Sequence, residues 1–274
     1  MIKKRLLAIN FLFLLLFVDL SLNADVFEDF KNQFSKQYVE PVASDLTAVI
    51  NINSTNEGGS LGLFSVTPPS AGLNIRAYIP TKKISSDNII FKNSLKDMDY
   101  LFFPVIQIEK GLPLKIDLVL RVMSLSNTTL IGGGIKYCIF ESAVPLAPKI
   151  NISGFYNQLV SKDILTLNST SLNLAISFGV PVVKPYFIFG IDNGEMTVDE
   201  KVFVGGISSK VSSKTRYELG VDLSVLPFMY LNLSYGSAYG DTSMSLGLGL
   251  RLQPIQEVTT FFHSVFPPRD LGKT

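Results

Sequence analysis

The sequence has few of the residues that enzymes and metal sites depend on. Its 274 residues include one histidine, His263, one cysteine, Cys138, and no tryptophan. One cysteine cannot form an internal disulfide, and one histidine excludes a multi-histidine metal site. No Gly-x-Ser-x-Gly motif accompanies His263, so a serine hydrolase is not indicated. We therefore expect no catalytic residue, no metal, no cofactor and no enzymatic activity.

Charge is also scarce. Charged residues make up 17% of the chain, whereas soluble domains usually contain about 25%. The 24 basic residues are matched by 23 acidic ones, so the chain lacks the excess of positive charge that a nucleic-acid partner requires. With 47% hydrophobic residues as well, the chain is apolar for a soluble protein.

Long hydrophobic runs are missing beyond the first residues. Lys3, Lys4 and Arg5 precede an apolar run from Leu6 to Val18, which predicts an export signal over residues 1–24. An uncleaved anchor is the alternative, but this run is shorter than the roughly 20 residues that a span needs. No comparable run follows, so we expect no membrane-spanning helix in the mature protein.

The segment after the signal has helical spacing. Apolar residues from Val26 to Val49 recur at intervals of three and four, which predicts an amphipathic helical segment over residues 25–52. Pro41 is expected to kink or divide it. Such a helix could pack outside a sheet, lie across its mouth as a cap, or fill it as a plug, and periodicity does not distinguish these positions.

From about residue 60 the spacing changes to strict alternation. In "MSLGLGLRL", residues 244–252, Met and Leu alternate with Ser, Gly and Arg, and five further stretches repeat this pattern. Turn-like stretches such as "SLSNTT" and "GIDNG" separate them. We count about ten to twelve strands, which predicts an all-β fold in which residues 53–252 form an antiparallel meander.

A membrane barrel explains the alternation better than a soluble sandwich. A sandwich places Lys, Glu and Thr in its outward rows, but here the polar rows contain mainly Ser, Gly and Asn. Small polar residues suit the interior of a narrow transmembrane barrel. Aromatic residues near strand ends are typical of the interfacial girdles of such barrels. We therefore expect a transmembrane β-barrel in the bacterial outer membrane.

A few charged residues lie in the small polar rows. Within a barrel, paired charges cost less free energy than isolated ones, so we expect an interior charge network rather than a pair of catalytic carboxylates. For Arg251 the first partners to consider are Asp222 and Glu218. The interior candidates are Arg76, Lys115, Asp117, Arg121, Glu218, Asp222 and Arg251.

Five stretches in a fixed order also resemble a known family. They are "KQYVEPVASDLTAVIN", "AGLNIRAYIP", "PVIQIEKGLPLKIDLVLRVM", "GGGIKYCIF" and "PKINISGFYNQL". Together they resemble a family of bacterial proteins that share a domain of unknown function and look like outer-membrane β-barrels. The architecture is more loosely similar to the long-chain fatty-acid transporters of the outer membrane, which pair a larger barrel with an amino-terminal plug.

These features favour a passive pore or uptake channel for a small or apolar solute. The alternatives are a non-conducting structural or adhesion barrel and a soluble periplasmic lipid-binding β protein. The partners expected are outer-membrane lipid, the barrel-assembly machinery during biogenesis and the solute. Alternation stops near Leu252, and Pro267 and Pro268 disfavour regular pairing beyond it. Residues 253–274 are therefore predicted to form a carboxy-terminal tail.

Overall fold

The computed structural model describes residues 36–62, 72–94, 99–142, 146–180, 182–203, 205–226 and 228–252. A short 3₁₀ turn, Lys36–Tyr38, precedes helix α1, Val39–Asn51, and a second helix, α2, covers Ile89–Ser94. The strands are β1 Leu73–Lys83, β2 Tyr100–Phe102, β3 Val105–Gly111, β4 Ile116–Leu125, β5 Thr128–Phe140, β6 Pro148–Ser161, β7 Leu165–Phe178, β8 Val183–Val198, β9 Ile207–Leu226, β10 Met229–Ala238 and β11 Asp241–Leu252. The predicted signal 1–24, the predicted tail 253–274 and His263 lie outside these residues.

The strands form a closed antiparallel barrel. From β3 to β11 each strand pairs with the next, and β11 pairs with β1, with Leu73 opposite Leu252. The short β2 pairs with the end of β1 in the same register that β3 uses, so β2 and β3 act as one strand interrupted at Phe103 and Pro104. The predicted all-β meander barrel is confirmed, with ten strands in the wall and β2 as the eleventh.

The two ends of the barrel differ. We call one the hairpin end, where the connections 126–127, 162–164 and 239–240 lie, together with residues 199–203 and 205–206 and with residues 84–94, which follow β1 and include α2. We call the other the terminal end, where β1 begins and β11 ends. The connection 112–115 lies at the terminal end.

Side chains in the wall alternate between the two faces. In β11, Met244 and Leu246 are exposed on the outside, whereas Ser243, Ser245 and Arg251 are buried inside. Glycines in the inward row make room for aromatic side chains: a Cβ at Gly249 would lie 2.1 Å from Cζ of Tyr230. The apolar rows of most strands face outwards in the same way, as expected for a wall that contacts lipid.

The chemical character of the two faces changes along β7 towards the hairpin end, while its side chains keep alternating. In β7, Leu172 and Leu174 point outwards. Nearer the hairpin end, Leu165 and Leu167 are buried in the interior, and Asn168 takes the outward position. The hairpin half of this strand therefore has a polar outer face and an apolar inner one, as a water-exposed sheet would.

Helix α1 occupies the apolar half of the interior. Ten of its 13 residues are buried, and it contacts β1, β7, β8 and β9. The helix begins at Val39, so Pro41 lies in its first turn, where a missing N–H is tolerated. It is preceded by the 3₁₀ turn rather than by a continuous helix, and residues 25–35 are not described. The helix therefore lies inside the barrel, not on its outer face or across its mouth.

Candidate functional site: the plugged lumen

The chain passes through the whole lumen before it enters the wall. We call residues 39–61 the plug segment: α1 fills the hairpin half, and residues 52–61 continue without regular structure. At the far end the backbone N–H of Leu61 donates to Asp117, near the start of β4 and hence at the terminal end. Almost every residue from 42 to 61 is buried, so the plug segment closes the barrel along its length.

The hairpin half of the plug is held by apolar packing. Leu46 and Ile50 are fully buried, and they belong to a cluster to which strands from most of the wall contribute. Full burial of such side chains stabilises a fold by about 1.5–3 kcal/mol each. The wall residues of this apolar layer include Tyr78, Val105, Met123, Leu130, Leu159, Leu165, Leu167, Met196, Val198 and Val211.

One buried ion pair ties α1 to the rim of the barrel. Nζ of Lys82, on β1, lies 2.7 Å from Asp45 of the helix and 2.6 Å from Asp241 at the start of β11. Ser85 and Asn88 donate further hydrogen bonds to the Asp45 carboxylate. Because Asp45 is fully buried, these partners offset the cost of removing its charge from water.

A basic side chain from the wall meets the carboxy-terminal end of α1. Arg121 donates to the backbone carbonyl of Ile50 at 2.7 Å and to Asn157 at 3.0 Å, and it also contacts the hydroxyl of Tyr78. The last carbonyls of a helix lack intrahelical donors and carry a partial negative charge, which a cation stabilises. Arg121 therefore stabilises the end of the helix.

Asn53 connects the plug to four strands of the wall, β1, β9, β10 and β11. It has a positive φ of 53°, a conformation that asparagine adopts more readily than most residues. Its backbone N–H donates to Glu218, and its side chain donates to Asn232 and Ser245. Arg76 donates to its backbone oxygen at 2.7 Å and to its side-chain oxygen at 3.1 Å.

Arg251 joins the plug to the wall near the terminal end. Its Nη2 lies 3.0 Å from Asp222 on β9 and 3.1 Å from Glu57 of the plug. The guanidinium also lies over the ring of Tyr230, 4.4 Å from its centroid. Asp222 was one of the two expected partners, whereas Glu57 was not considered, because only the folded chain brings the plug beside β11.

Other charges are paired within the wall itself, and the sequence reasoning missed several of them. Lys136 lies 3.0 Å from Glu109 and 3.8 Å from Asp117. Arg216 contacts Glu218 and lies 3.2 Å from Asp192. The sequence does indicate that both side chains face inwards. Lys136 lies between the outward Ile135 and Tyr137, and Arg216 is two residues from the inward Glu218, so that both side chains lie on the same face of β9.

Lys115 does not belong to the interior. It lies exposed in the 3₁₀ turn Pro113–Lys115 at the terminal end, with a positive φ of 61°. Alternation was extended one residue too far, into the connection before β4, where the backbone leaves the strand conformation. The other six candidates, Arg76, Asp117, Arg121, Glu218, Asp222 and Arg251, are buried and face the lumen.

The described residues show no further kind of site. None of the groups of His, Cys, Asp and Glu among them has an arrangement that could hold a metal ion. Cys138 is buried and unpaired by disulfide. Neither helix within the described ranges is long and apolar enough to cross a membrane. Among the described residues of the lumen, the contacts found are therefore those that join the plug segment to the wall and the wall residues to one another.

Comparison with known proteins gives structural likeness only. No family model matches the chain, and no curated protein matches its sequence. Among solved structures, the amino-terminal β-barrel domain of Pseudomonas aeruginosa OprF is 15% identical over 65% of this chain and 95% of its own, with a TM-score of 0.35. The KdgM porin is 8% identical over 65% of this chain and 98% of its own, also with a TM-score of 0.35.

A third similar structure is the outer membrane protease OmpT from Escherichia coli. It is 11% identical over 70% of this chain and 99% of its own, with a TM-score of 0.34. The three are described as a β-barrel domain, a porin and an outer membrane protease, and at these scores the likeness supports no conclusion about activity.

Proposed function

We propose that this protein is an integral outer-membrane β-barrel that acts as a gated channel for a small solute and is closed at rest by its plug segment. This proposal modifies the passive pore expected from the sequence, because the lumen is filled. Outward rows of Leu, Ile, Phe and Tyr support a position in lipid and disfavour a soluble lipid-binding protein. The interior carboxylates described above are engaged with lysine or arginine, so the proposal includes no catalytic step.

The observation that carries this proposal is the charge pairing of the wall. Glu109, Asp117, Asp192, Glu218 and Asp222 each have a lysine or arginine partner that also belongs to the wall. Removing the plug would therefore leave none of these five carboxylates without a cation. Such a wall is suited to hydration, because water would replace the polar contacts of the plug.

The plug adds its own charges in matched positions. Asp45 pairs with Lys82, and Glu57 pairs with Arg251. Breaking a buried pair usually costs about 3–5 kcal/mol because a charge is left uncompensated. If water enters as the plug leaves, that cost falls, since both partners regain solvent. The closed state is then stable and its opening is reversible.

A disulfide across the plug and the wall tests this proposal. A Cβ built at Gly194 lies 3.2 Å from Cβ of Thr47, close to the separation of about 3.5–4.5 Å found in disulfides. The variant carries Thr47→Cys and Gly194→Cys together with Cys138→Ala, and its conductance is recorded in planar bilayers. We expect voltage-induced openings in the reduced form and none in the oxidised form.

The matched control is Thr47→Cys with Cys138→Ala, whose conductance should not respond to oxidant. If a folded barrel, identified by its heat-modifiable migration on gels, conducts in neither form, the gated channel is wrong. If oxidised and reduced forms conduct equally, the plug is not the gate.

A non-conducting structural barrel is the second candidate. The apolar layer around Leu46 and Ile50 favours it, because that layer is packed like the core of a soluble domain. A permanent absence of conductance in the reduced variant would support this alternative.

A further inference from the structure

We propose that the amino-terminal flank of the plug segment, Gln37 and Tyr38, lies on the hairpin-end side of the membrane. The wall begins and ends on the other side. The chain would then cross the membrane once through the lumen of its own barrel before it builds the wall. This inference relies on the membrane embedding included in the proposed function, but not on gating.

The contacts of α1 place its beginning at the hairpin end. Asp45 pairs with Lys82, which is next to the last residue of β1, and it accepts hydrogen bonds from Ser85 and Asn88 in the connection that follows. Tyr38 packs against the apolar layer, and Gln37 is exposed. The flank therefore leaves the lumen at the hairpin end.

The contacts of residues 57–61 place the other end of the plug at the terminal end. The backbone N–H of Gly58 donates to Ser177, the next-to-last residue of β7. Glu57 lies beside Arg251, near the end of β11, and Leu61 donates to Asp117, near the start of β4. All three strand positions lie at the terminal end.

The number of crossings determines which side the flank occupies. A wall of ten antiparallel strands returns the chain to the side from which it started, so β1 and β11 have their free ends together. The plug segment adds an eleventh crossing. The flank and the carboxyl end of β11 are therefore on opposite sides of the membrane.

The hairpin end is the better candidate for the cell exterior. There β7 has its polar outer face, with Asn168 and Thr170 pointing away from the lumen, and β8 adds Asn193 and Glu195. Longer connections are typical of the extracellular side of outer-membrane barrels, and the connection that contains α2 lies at this end. An exported chain would then pass its flank to the outside as the barrel closes around it.

Labelling with a membrane-impermeant maleimide on intact cells tests the sidedness. Single cysteines are introduced at Gln37, at Ser126 in the β4–β5 hairpin and at Leu114 in the exposed turn of the terminal end, each with Cys138→Ala. We expect Q37C and S126C to be labelled in intact cells and L114C only after the outer membrane is permeabilised. The chain with Cys138→Ala alone should remain unlabelled.

The grouping of the three positions decides the outcome, whichever side of the membrane each end faces. If Q37C is labelled together with S126C and apart from L114C, the inference holds even if the barrel is inverted. If Q37C is labelled together with L114C and apart from S126C, the inference is wrong. If all three are labelled equally in intact cells, the chain does not span the membrane, and both the inference and the proposed embedding are wrong.

Discussion

Helix α1 and residues 52–61 pass through the same lumen but are held in different ways. The helix is surrounded by a continuous apolar layer and has one buried ion pair, between Asp45 and Lys82. The following residues are held almost wholly by hydrogen bonds and charges, with Asn53 and Glu57 as the main contacts. Apolar packing depends on shape and needs no partner of opposite charge, whereas the polar half depends on a particular partner at each position.

The wall matches this division. Beside α1 the inner face is largely apolar, and in β7 and β8 the outer face there is polar, whereas beside residues 52–61 the inner face is polar and the outer face apolar. The hairpin half therefore resembles a soluble domain with a helix as its core, and the terminal half resembles a membrane barrel with a polar interior. Substitutions in the two halves should have different effects.

The largest expected effect is in the polar half, at Arg216. Arg216→Met leaves Asp192 and Glu218 buried without their cation, and we expect a loss of about 3–5 kcal/mol in the free energy of unfolding. Urea titration in lipid vesicles measures this loss. The control is Lys210→Met, which removes an exposed pair with Glu195 and should cost about 1 kcal/mol or less. Equal losses in the two variants would contradict the role of burial.

In the apolar half, Leu46→Ala removes a fully buried side chain from the helix. We expect a loss of about 2–5 kcal/mol, because the methyl groups are lost and a cavity is left. The loss should not depend on salt concentration, unlike losses at exposed charges. Glu40→Ala, at an exposed position of the same helix, should change stability by about 0.5 kcal/mol or less. A marginal effect of Leu46→Ala would mean that the apolar layer does not hold α1.

The reversal of faces along β7 predicts a contrast on the outside of the barrel. Leu172→Arg puts a charge on the outer face of the terminal half and should cost about 2–4 kcal/mol if that face lies in lipid. Asn168→Arg is on the same face of the same strand, but nearer the hairpin end, and should cost little. Comparing urea midpoints of the two variants in vesicles locates the edge of the lipid. A similar cost at both positions would place the reversal elsewhere.

The smallest expected effect on stability is at Asn53. Asn53→Gly keeps a residue that accepts the positive φ while removing the side-chain hydrogen bonds to Asn232, Ser245 and Arg76. We expect a loss of about 1–3 kcal/mol from the partners left unsatisfied. Conductance should show more frequent openings than in the wild type. If opening frequency is unchanged, the polar contacts of Asn53 do not hold the gate.

Several features of the fold could be predicted from residues alone because their signal is local. The row Met244, Leu246 against Ser245 and Arg251 separates the two faces of β11 without knowledge of its neighbours, and the sparse charge and the similar rows of the other strands indicated that the apolar face is the outer one. Residues two apart along a strand share a face. Applied to Gln107 and Glu109, or to Arg216 and Glu218, this rule would have added further interior residues. It failed at Lys115, because a 3₁₀ turn precedes β4 and the strand begins at Ile116, one residue later than alternation suggests.

Other features could not be predicted because their cause is distant in the sequence. Leu165 and Leu167 lie on the inward face of β7, whose other inward residues are mainly polar, and the partner that buries them, α1, is more than 100 positions away in the sequence. Glu57 gave no sign of its role, since its partner Arg251 is 194 positions away and is reached only through the threaded lumen. The position of the helix was likewise open, because an apolar helical face packs equally well outside or inside a sheet.

The sequence by itself determined the kind of wall. Strict alternation with small polar residues in one row allows closure into a barrel whose outside is apolar, and this property depends only on the side-chain period of a strand. Only the tertiary structure decided that the barrel is filled and which way the filling segment runs. The reason is physical: burial of Asp45, Asn53 and Glu57 is stable only where Lys82, Arg76 and Arg251 converge on them, and that convergence exists only when the barrel has closed around the segment.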